Sequence, residues 1–160
     1  MQAKITIPYA VADFAQLRER GFYYVDKTHF IPKLELYNAP VFLRPRRFGK
    51  SLWVSTLAYY YDINETERFD TLFGGTYIGS HPTAERNKYM VLRLDFSKLV
   101  LANSVDGLEK NFNDLLCPLL RGFVKGTYRY LRFFESFSFT DEQNASKMLG
   151  EIINRIQEER

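Results

Sequence analysis

Hydrophobic positions along the chain follow two kinds of spacing, and the helical kind is the more frequent. In VADFAQLRER, residues 11–20, Val11, Phe14 and Leu17 recur at near-helical intervals, and Gly21 follows as a stop. Ile31, Leu34 and Leu36 predict a short helix over 31–37, closed by Asn38-Ala39-Pro40. LWVSTLAYYY, residues 52–61, predicts another, with Leu52, Ser55 and Tyr59 on one side and Trp53, Leu57 and Tyr60 near a second. Leu108, Phe112, Leu115, Leu116, Leu119, Leu120 and Phe123 then trace one face. An Asp106/Glu109 capping box opens that helix, and Pro118 predicts a kink or break in it. The last stripe is Ala145, Leu149, Ile152, Ile153 and Ile156, in a helix opened by Thr140 and Gln143. It runs almost to Arg160, so the chain reads as cut rather than finished.

The other kind is a compact apolar run. VFLR, residues 41–44, and MVLRLDF, residues 90–96, have the composition of buried strands. FYYVDKTHF, residues 22–30, is a shorter β-branched and aromatic run that ends in an Asp-Lys-Thr break. LFGGTYIG, residues 72–79, predicts a turn or hairpin. Strands alternating with helices predict an α/β architecture.

Composition narrows the classes without choosing among them. The chain has 160 residues, 46% of them hydrophobic, enough for one domain with a real core. Its 14 Phe and 11 Tyr predict a core built on large rings. A net charge of +3 is too weak to imply nucleic acid. The lone Cys117 forms no internal disulfide, and two histidines, His29 and His81, make no structural zinc cluster. No apolar run reaches the roughly 18–20 residues that span a bilayer, and the expected location is cytoplasmic.

The chemistry concentrates in FLRPRRFGKSL, residues 42–52. Gly49, Lys50 and Ser51 end it like a phosphate-binding loop, G-x-x-x-x-G-K-[ST], but Arg44 stands where the first glycine belongs, followed by Pro45. Such a loop points successive backbone N–H groups at an anion at a helix N-terminus. Gly49 supplies backbone freedom, Lys50 an ammonium for the β/γ-phosphates, and Ser51 a hydroxyl ligand for Mg²⁺. Pro45 keeps Arg44 extended, which carries the chain out of a strand without a glycine. Arg46 and Arg47 add donors toward phosphate or toward an acidic partner. The motif taken alone is matched equally well by a basic turn with a helix cap.

YYVDKTHFI, VFLRPRRFGKSL, YYYDI and LFGGTYIG resemble the AAA-ATPase-like proteins of gut and other anaerobic bacteria. These carry an N-terminal nucleotide-binding domain and commonly a C-terminal PD-(D/E)XK nuclease-like domain. The similarity runs from about Ile7 to Asp95 and more weakly beyond. It implies a P-loop NTPase core, a three-layer α/β/α fold with a mainly parallel sheet, over residues 1–160 as a single, incomplete domain. It implies ATP or another NTP with Mg²⁺ as cofactors, bound through Arg44, Pro45, Arg46, Arg47, Phe48, Gly49, Lys50, Ser51 and Leu52, with Ser51 on the metal. Tyr24–Thr28 is implied to lie near the adenine; the alternative for VDKT is an Asx-type turn that caps the next helix. The family's acidic strand, which positions Mg²⁺ and water, is expected beyond IINRIQEER. Asp95 reads as a structural residue ending an outer strand, and no catalytic residue is assigned. The expectation is nucleotide binding with little or no ATP hydrolysis by this polypeptide, and a nuclease-like effector domain in a longer parent protein.

Two other classes stay open. RPRRFGK could dock an acidic partner in a nucleotide-free interaction module. TYRYLRFF, residues 127–134, interleaves Arg129 and Arg132 with rings and could stack nucleic-acid bases; the plainer reading is a helix with one aromatic and one solvated basic face, or a surface covered by a further part of a longer protein. His29 and His81 read as surface or capping groups, and Cys117 as buried and inert.

Overall fold

A computed structural model of the chain describes residues 6–43, 45, 47–141 and 144–159. They form two compact units, Met1–Val91 and Leu92–Arg160.

In the first unit, α1 (Phe14–Glu19) starts where the Asp13 side chain accepts the Gln16 N–H at 2.8 Å, and it ends ahead of Gly21, whose φ is 63°. A 3₁₀ turn, Thr28–Phe30, leads into α2 (Ile31–Leu34). α3 (Lys50–Tyr61) is followed by a 3₁₀ segment, Ile63–Arg68, then by α4 (Phe69–Phe73) and α5 (Tyr77–Ser80). Rings dominate the core. Phe14, Tyr60 and Phe69 all gather on Phe73, with centroids 4.9, 5.5 and 5.0 Å away, and Trp53, Leu72 and Ile78 are buried in the same cluster.

α3 buries polar as well as apolar positions, and each buried hydroxyl has a partner. Ser55 accepts the Phe14 N–H at 3.0 Å and donates to Asp13, while Thr56 donates to the Leu52 carbonyl. Ser55 and Tyr59, which donates to the same Asp13 carboxylate, therefore bolt α3 to the start of α1. At the far end of α3, the Tyr61 hydroxyl donates to Glu35. Burial, then the Glu35 charge, push its pKa well above the ordinary phenol value.

The second unit is a helical assembly. α6 (Val105–Gly122) is capped by Ser104, which accepts the Gly107 N–H at 3.1 Å, so the Asp106/Glu109 box is not the one used. α6 runs through Pro118 as one helix, so of the kink or break expected there the break does not occur, and it continues into a π-helical turn, Phe123–Thr127. A 3₁₀ turn, Phe96–Lys98, precedes α6; α7 (Arg132–Glu135) and α8 (Ala145–Glu158) follow it. Asn144 caps α8 by accepting the Lys147 N–H, in place of the expected Thr140; Gln143 lies outside the described residues. Leu116, Leu120, Val124, Tyr128, Met148 and Ile152 are buried here.

The three-layer α/β/α fold with a parallel sheet is overturned. Among the described residues there is no sheet, only two isolated parallel bridges, Thr6 with Phe22 and Asp62 with Tyr89. A strand is held by ladder partners, and residues 41–43 have none: Val41 is 82% and Leu43 87% exposed, the reverse of a buried strand. The second expected strand, 90–96, straddles the boundary between the units and forms none either. Residues 72–79 form no hairpin but the end of α4, a turn at Gly74-Gly75, and α5.

Candidate functional site

Two quoted motifs meet each other before they meet anything else. Asp26 makes an Asx turn, one carboxylate oxygen accepting the Thr28 N–H at 2.8 Å, while the other accepts the Tyr77 N–H at 2.7 Å. Thr28, fully buried, accepts the Ile78 N–H at 3.1 Å, and Thr76 caps the same short helix by accepting the Gly79 N–H. VDKT and GGTYIG thus form one clasp around the start of α5. Burial alone would raise the Asp26 pKa, but the hydrogen bonds from Tyr77 and Thr28 outweigh it and hold the carboxyl below its ordinary value. Asp26 and Thr28 are spent on structure, and Lys27 is fixed between them.

The loop ahead of α3 has an unusual backbone. Arg47 has φ of 68° and Gly49 φ of 75°, both left-handed. Glycine takes that conformation freely; for arginine it costs about 1–2 kcal/mol. A Cβ added at Gly49 would meet nothing within 4 Å, so only conformation, not crowding, calls for glycine there. Gly49 is the N-cap of α3 without a side-chain cap, its carbonyl accepts the Trp53 N–H at 2.9 Å, and the first turn holds no acidic residue. Helix geometry leaves the Ser51 and Leu52 N–H groups without an intrahelical acceptor. The side chains of Lys50 and Ser51 are on the exposed side of this turn, and Pro45 is exposed as well. Arg44 and Arg46 lie outside the described residues.

Two cavities flank the turn. One, of about 290 Å³, is walled by rings including Phe30, Phe42, Phe48 and Trp53, and Lys27 and Lys33 supply its cations. The other, of about 270 Å³, is lined by Leu52, Tyr24 and Thr56. Lys27, Gly49 and Trp53 belong to both. The sequence reading missed Phe30, Lys33, Tyr37 and Trp53 as lining residues. The available signal was the density of rings on both sides of the basic turn, assigned there to the core.

These residues fit a phosphate-bearing ligand: a left-handed glycine at a helix start, a Cβ-free approach, and cations at Lys27 and Lys50. They fit Mg²⁺ less well. Among the described residues no group of three or more His, Cys, Asp or Glu side chains could hold a metal ion, so the loop offers it the Ser51 hydroxyl. A hard cation at such a point is held mainly by phosphates and water.

The remaining candidates have local roles. Asp95 accepts the Ser97 N–H at 2.9 Å and caps the Phe96–Lys98 turn rather than ending a strand. Hydrogen bonds donated by the Ser97 hydroxyl and backbone N–H hold the Asp95 pKa below its ordinary value. Arg129 lines an open cavity of the second unit with Lys125 and Tyr130, whereas Arg132 starts α7. The rings of TYRYLRFF divide between the π-helical turn's exit and α7 and do not form one helical face. His81 follows α5 with Nδ1 3.1 Å from the Tyr77 carbonyl, and His29 is exposed. Cys117 is buried, which raises its thiol pKa. Among the described residues, no helix is long and apolar enough to cross a membrane.

Comparison with known proteins bears on this arrangement. An uncharacterized protein from the vnfD 5′ region of Azotobacter chroococcum mcd 1 is 38% identical over 112 residues, 69% of this chain. The chain spans about a fifth of that relative's length, 20%. No solved structure matches. The family model described as "Predicted AAA-ATPase" matches residues 8–160, and the chain belongs to this AAA-ATPase-like family.

Proposed function

We propose that the turn before α3 binds a nucleoside triphosphate, ATP being the expected ligand, with Mg²⁺ carried on its phosphates. The observation that carries this reading is the paired left-handed backbone at Arg47 and Gly49 immediately ahead of the 12-residue helix α3. Alternating left- and right-handed residues turn successive N–H groups into one concavity, and the helix dipole adds its positive end. Backbone strain at Arg47, two residues from the Gly49 that lines both cavities, supports a binding loop over an ordinary turn.

In this reading the Ser51 and Leu52 amides hold phosphate oxygens, Lys50 and Lys27 neutralise their charge, and Arg44, Arg46 and Arg47 add donors at the entrance. Pro45 stiffens the approach, and Phe48 closes one side of the ring-lined cavity. Ser51 orients the metal. A bound Mg²⁺ neutralises phosphate charge and so favours phosphoryl transfer. The reading therefore assigns binding to this chain and leaves turnover to residues beyond those named here. A nuclease-like effector in a longer parent protein, responding to nucleotide state, belongs to the same proposal.

Calorimetric titration of Mg-ATP into the 160-residue chain and into Lys50→Ala tests it. Binding that weakens at least tenfold in the variant supports the site. Binding to neither chain removes it and favours the second reading, a protein-interaction module. What favours that module is the exposure of Val41 and Leu43 beside the basic turn.

A further inference from the structure

The cavity beside Gly49 has mainly aromatic walls. Phe30, Tyr37, Phe42 and Trp53 present rings, and the Phe42 and Trp53 centroids lie 6.4 Å apart at an interplanar angle of 31°. Among the described residues, the polar side chains on the same wall are Lys27, Lys33 and the Tyr37 hydroxyl. The Lys33 ammonium sits 5.5 Å from the Phe30 ring centroid, against the face of a ring rather than a carboxylate. At about 290 Å³, the cavity is near the lower end for small-molecule sites, room for a base rather than for a whole nucleotide. Because Phe48 and Gly49 form part of its wall, a base held there has its phosphates at the start of α3.

Edge recognition of adenine needs an acceptor for its exocyclic amine, and guanine needs donors for its carbonyl and ring nitrogen. Lysine only donates. Two lysines can serve N7 of either purine and O6 of guanine, while among the described lining residues the Tyr37 hydroxyl is the side-chain acceptor available to the adenine amine. Ring stacking, in contrast, is tolerant of base identity because every base has a π face. Strong discrimination arises where a buried polar group is left unpaired by the wrong ligand, and a wall of rings has few such groups to leave.

We infer that this site takes purine nucleoside triphosphates by stacking and charge, without selecting adenine over guanine. The inference rests on the nucleotide-binding reading above and concerns what the site reads of its ligand. The family description names ATP; this wall chemistry admits GTP equally.

Trp53 is the single tryptophan of the chain and lines both cavities at the turn, so its fluorescence reports occupancy there, and Phe42, which lines this cavity and not the other, assigns it. The experiment titrates the 160-residue chain with ATP, GTP and inorganic tripolyphosphate, each with Mg²⁺, following Trp53 emission and heat in parallel. Dissociation constants for ATP and GTP within about tenfold of each other, both with an emission change that tripolyphosphate does not produce, are the expected result. Phe42→Ala, at a half-exposed position, should weaken both nucleotides by a similar factor, about five- to a hundredfold, and leave tripolyphosphate unchanged. A preference beyond tenfold for either base overturns the inference while leaving nucleotide binding intact. Heat without any Trp53 response to either nucleotide places the base outside the cavity and overturns it as well. No heat with any of the three ligands overturns the nucleotide reading itself.

Discussion

The Asp26 carboxylate accepts the Tyr77 backbone N–H at 2.7 Å, joining positions 51 residues apart and seating α5 on the segment that carries Lys27. A charged acceptor in such a position contributes more than a neutral one, about 1.5–3 kcal/mol before solvent exposure discounts it.

Its pH dependence follows from the lowered pKa. The folded-state value lies below the unfolded one, so the contribution is complete above the unfolded carboxyl value of about 3.9 and is lost as pH falls through the folded value. Asp26→Asn should therefore be less stable than the parent by roughly 1–2 kcal/mol near pH 7, with the difference shrinking as pH falls below the unfolded carboxyl value and through the lowered folded one. Urea unfolding across that range measures it. An equal gap at both ends would remove the charge from the explanation.

Gly49→Ala separates conformation from crowding. Because an added Cβ meets nothing within 4 Å, the cost is that of left-handed alanine alone, about 1 kcal/mol. Gly49→Asn should cost less, since asparagine visits that region more readily. Denaturant midpoints that rank Gly above Asn above Ala agree with this; Ala matching Gly would contradict the left-handed assignment.

Arg18 donates through Nε to the Leu72 carbonyl at 2.7 Å and through a terminal nitrogen to the Gly74 carbonyl at 2.5 Å, closing the C-terminal end of α4. Its guanidinium also lies 5.9 Å from the Tyr24 ring centroid. Arg18→Met should destabilise the chain by about 2 kcal/mol, and Arg18→Lys should recover little of it, because a point charge cannot reproduce the fork. Full recovery with lysine, read from thermal or urea unfolding, would sink the geometric argument.

Cys117 tests the second unit from within. The thiol is buried on α6 and its pKa is raised, so a thiol reagent near neutral pH should label native chain slowly and urea-unfolded chain stoichiometrically. Rapid labelling without denaturant would mean that the Leu116–Leu120 face opens freely.

How far the sequence could be read depended on the range of the forces involved. The C-terminal end of α1 was legible because Gly21 acts within a residue or two of it, whereas the Asp13 cap at its start was not read; the stripes of α6 and α8 were legible because their apolar positions repeat. The sheet was misread because VFLR and MVLRLDF have strand-like residues, whereas a strand also needs partners, and composition carries no word of those. The helix of α3 was legible, but the partners of its buried hydroxyls were not: Ser55 and Thr56 are satisfied through groups such as Phe14 and Leu52. The VDKT–GGTYIG clasp was invisible as a pair, although the Asx turn in it was one of the two readings weighed. In the loop, Gly49 announced itself, but the left-handed Arg47 did not, since arginine has no sequence preference for that backbone.

That clasp makes the chain between residues 28 and 78 a loop tied at both ends, with α3 bound separately to α1 through Ser55 and Asp13. The stretch around residues 41–47 is basic in sequence, and its exposed Val41, Phe42, Leu43, Pro45 and Arg47 make it the natural place for a protease to cut. A single cut there severs the backbone but none of those ties, so the two polypeptides should elute as one native particle and part only when unfolded.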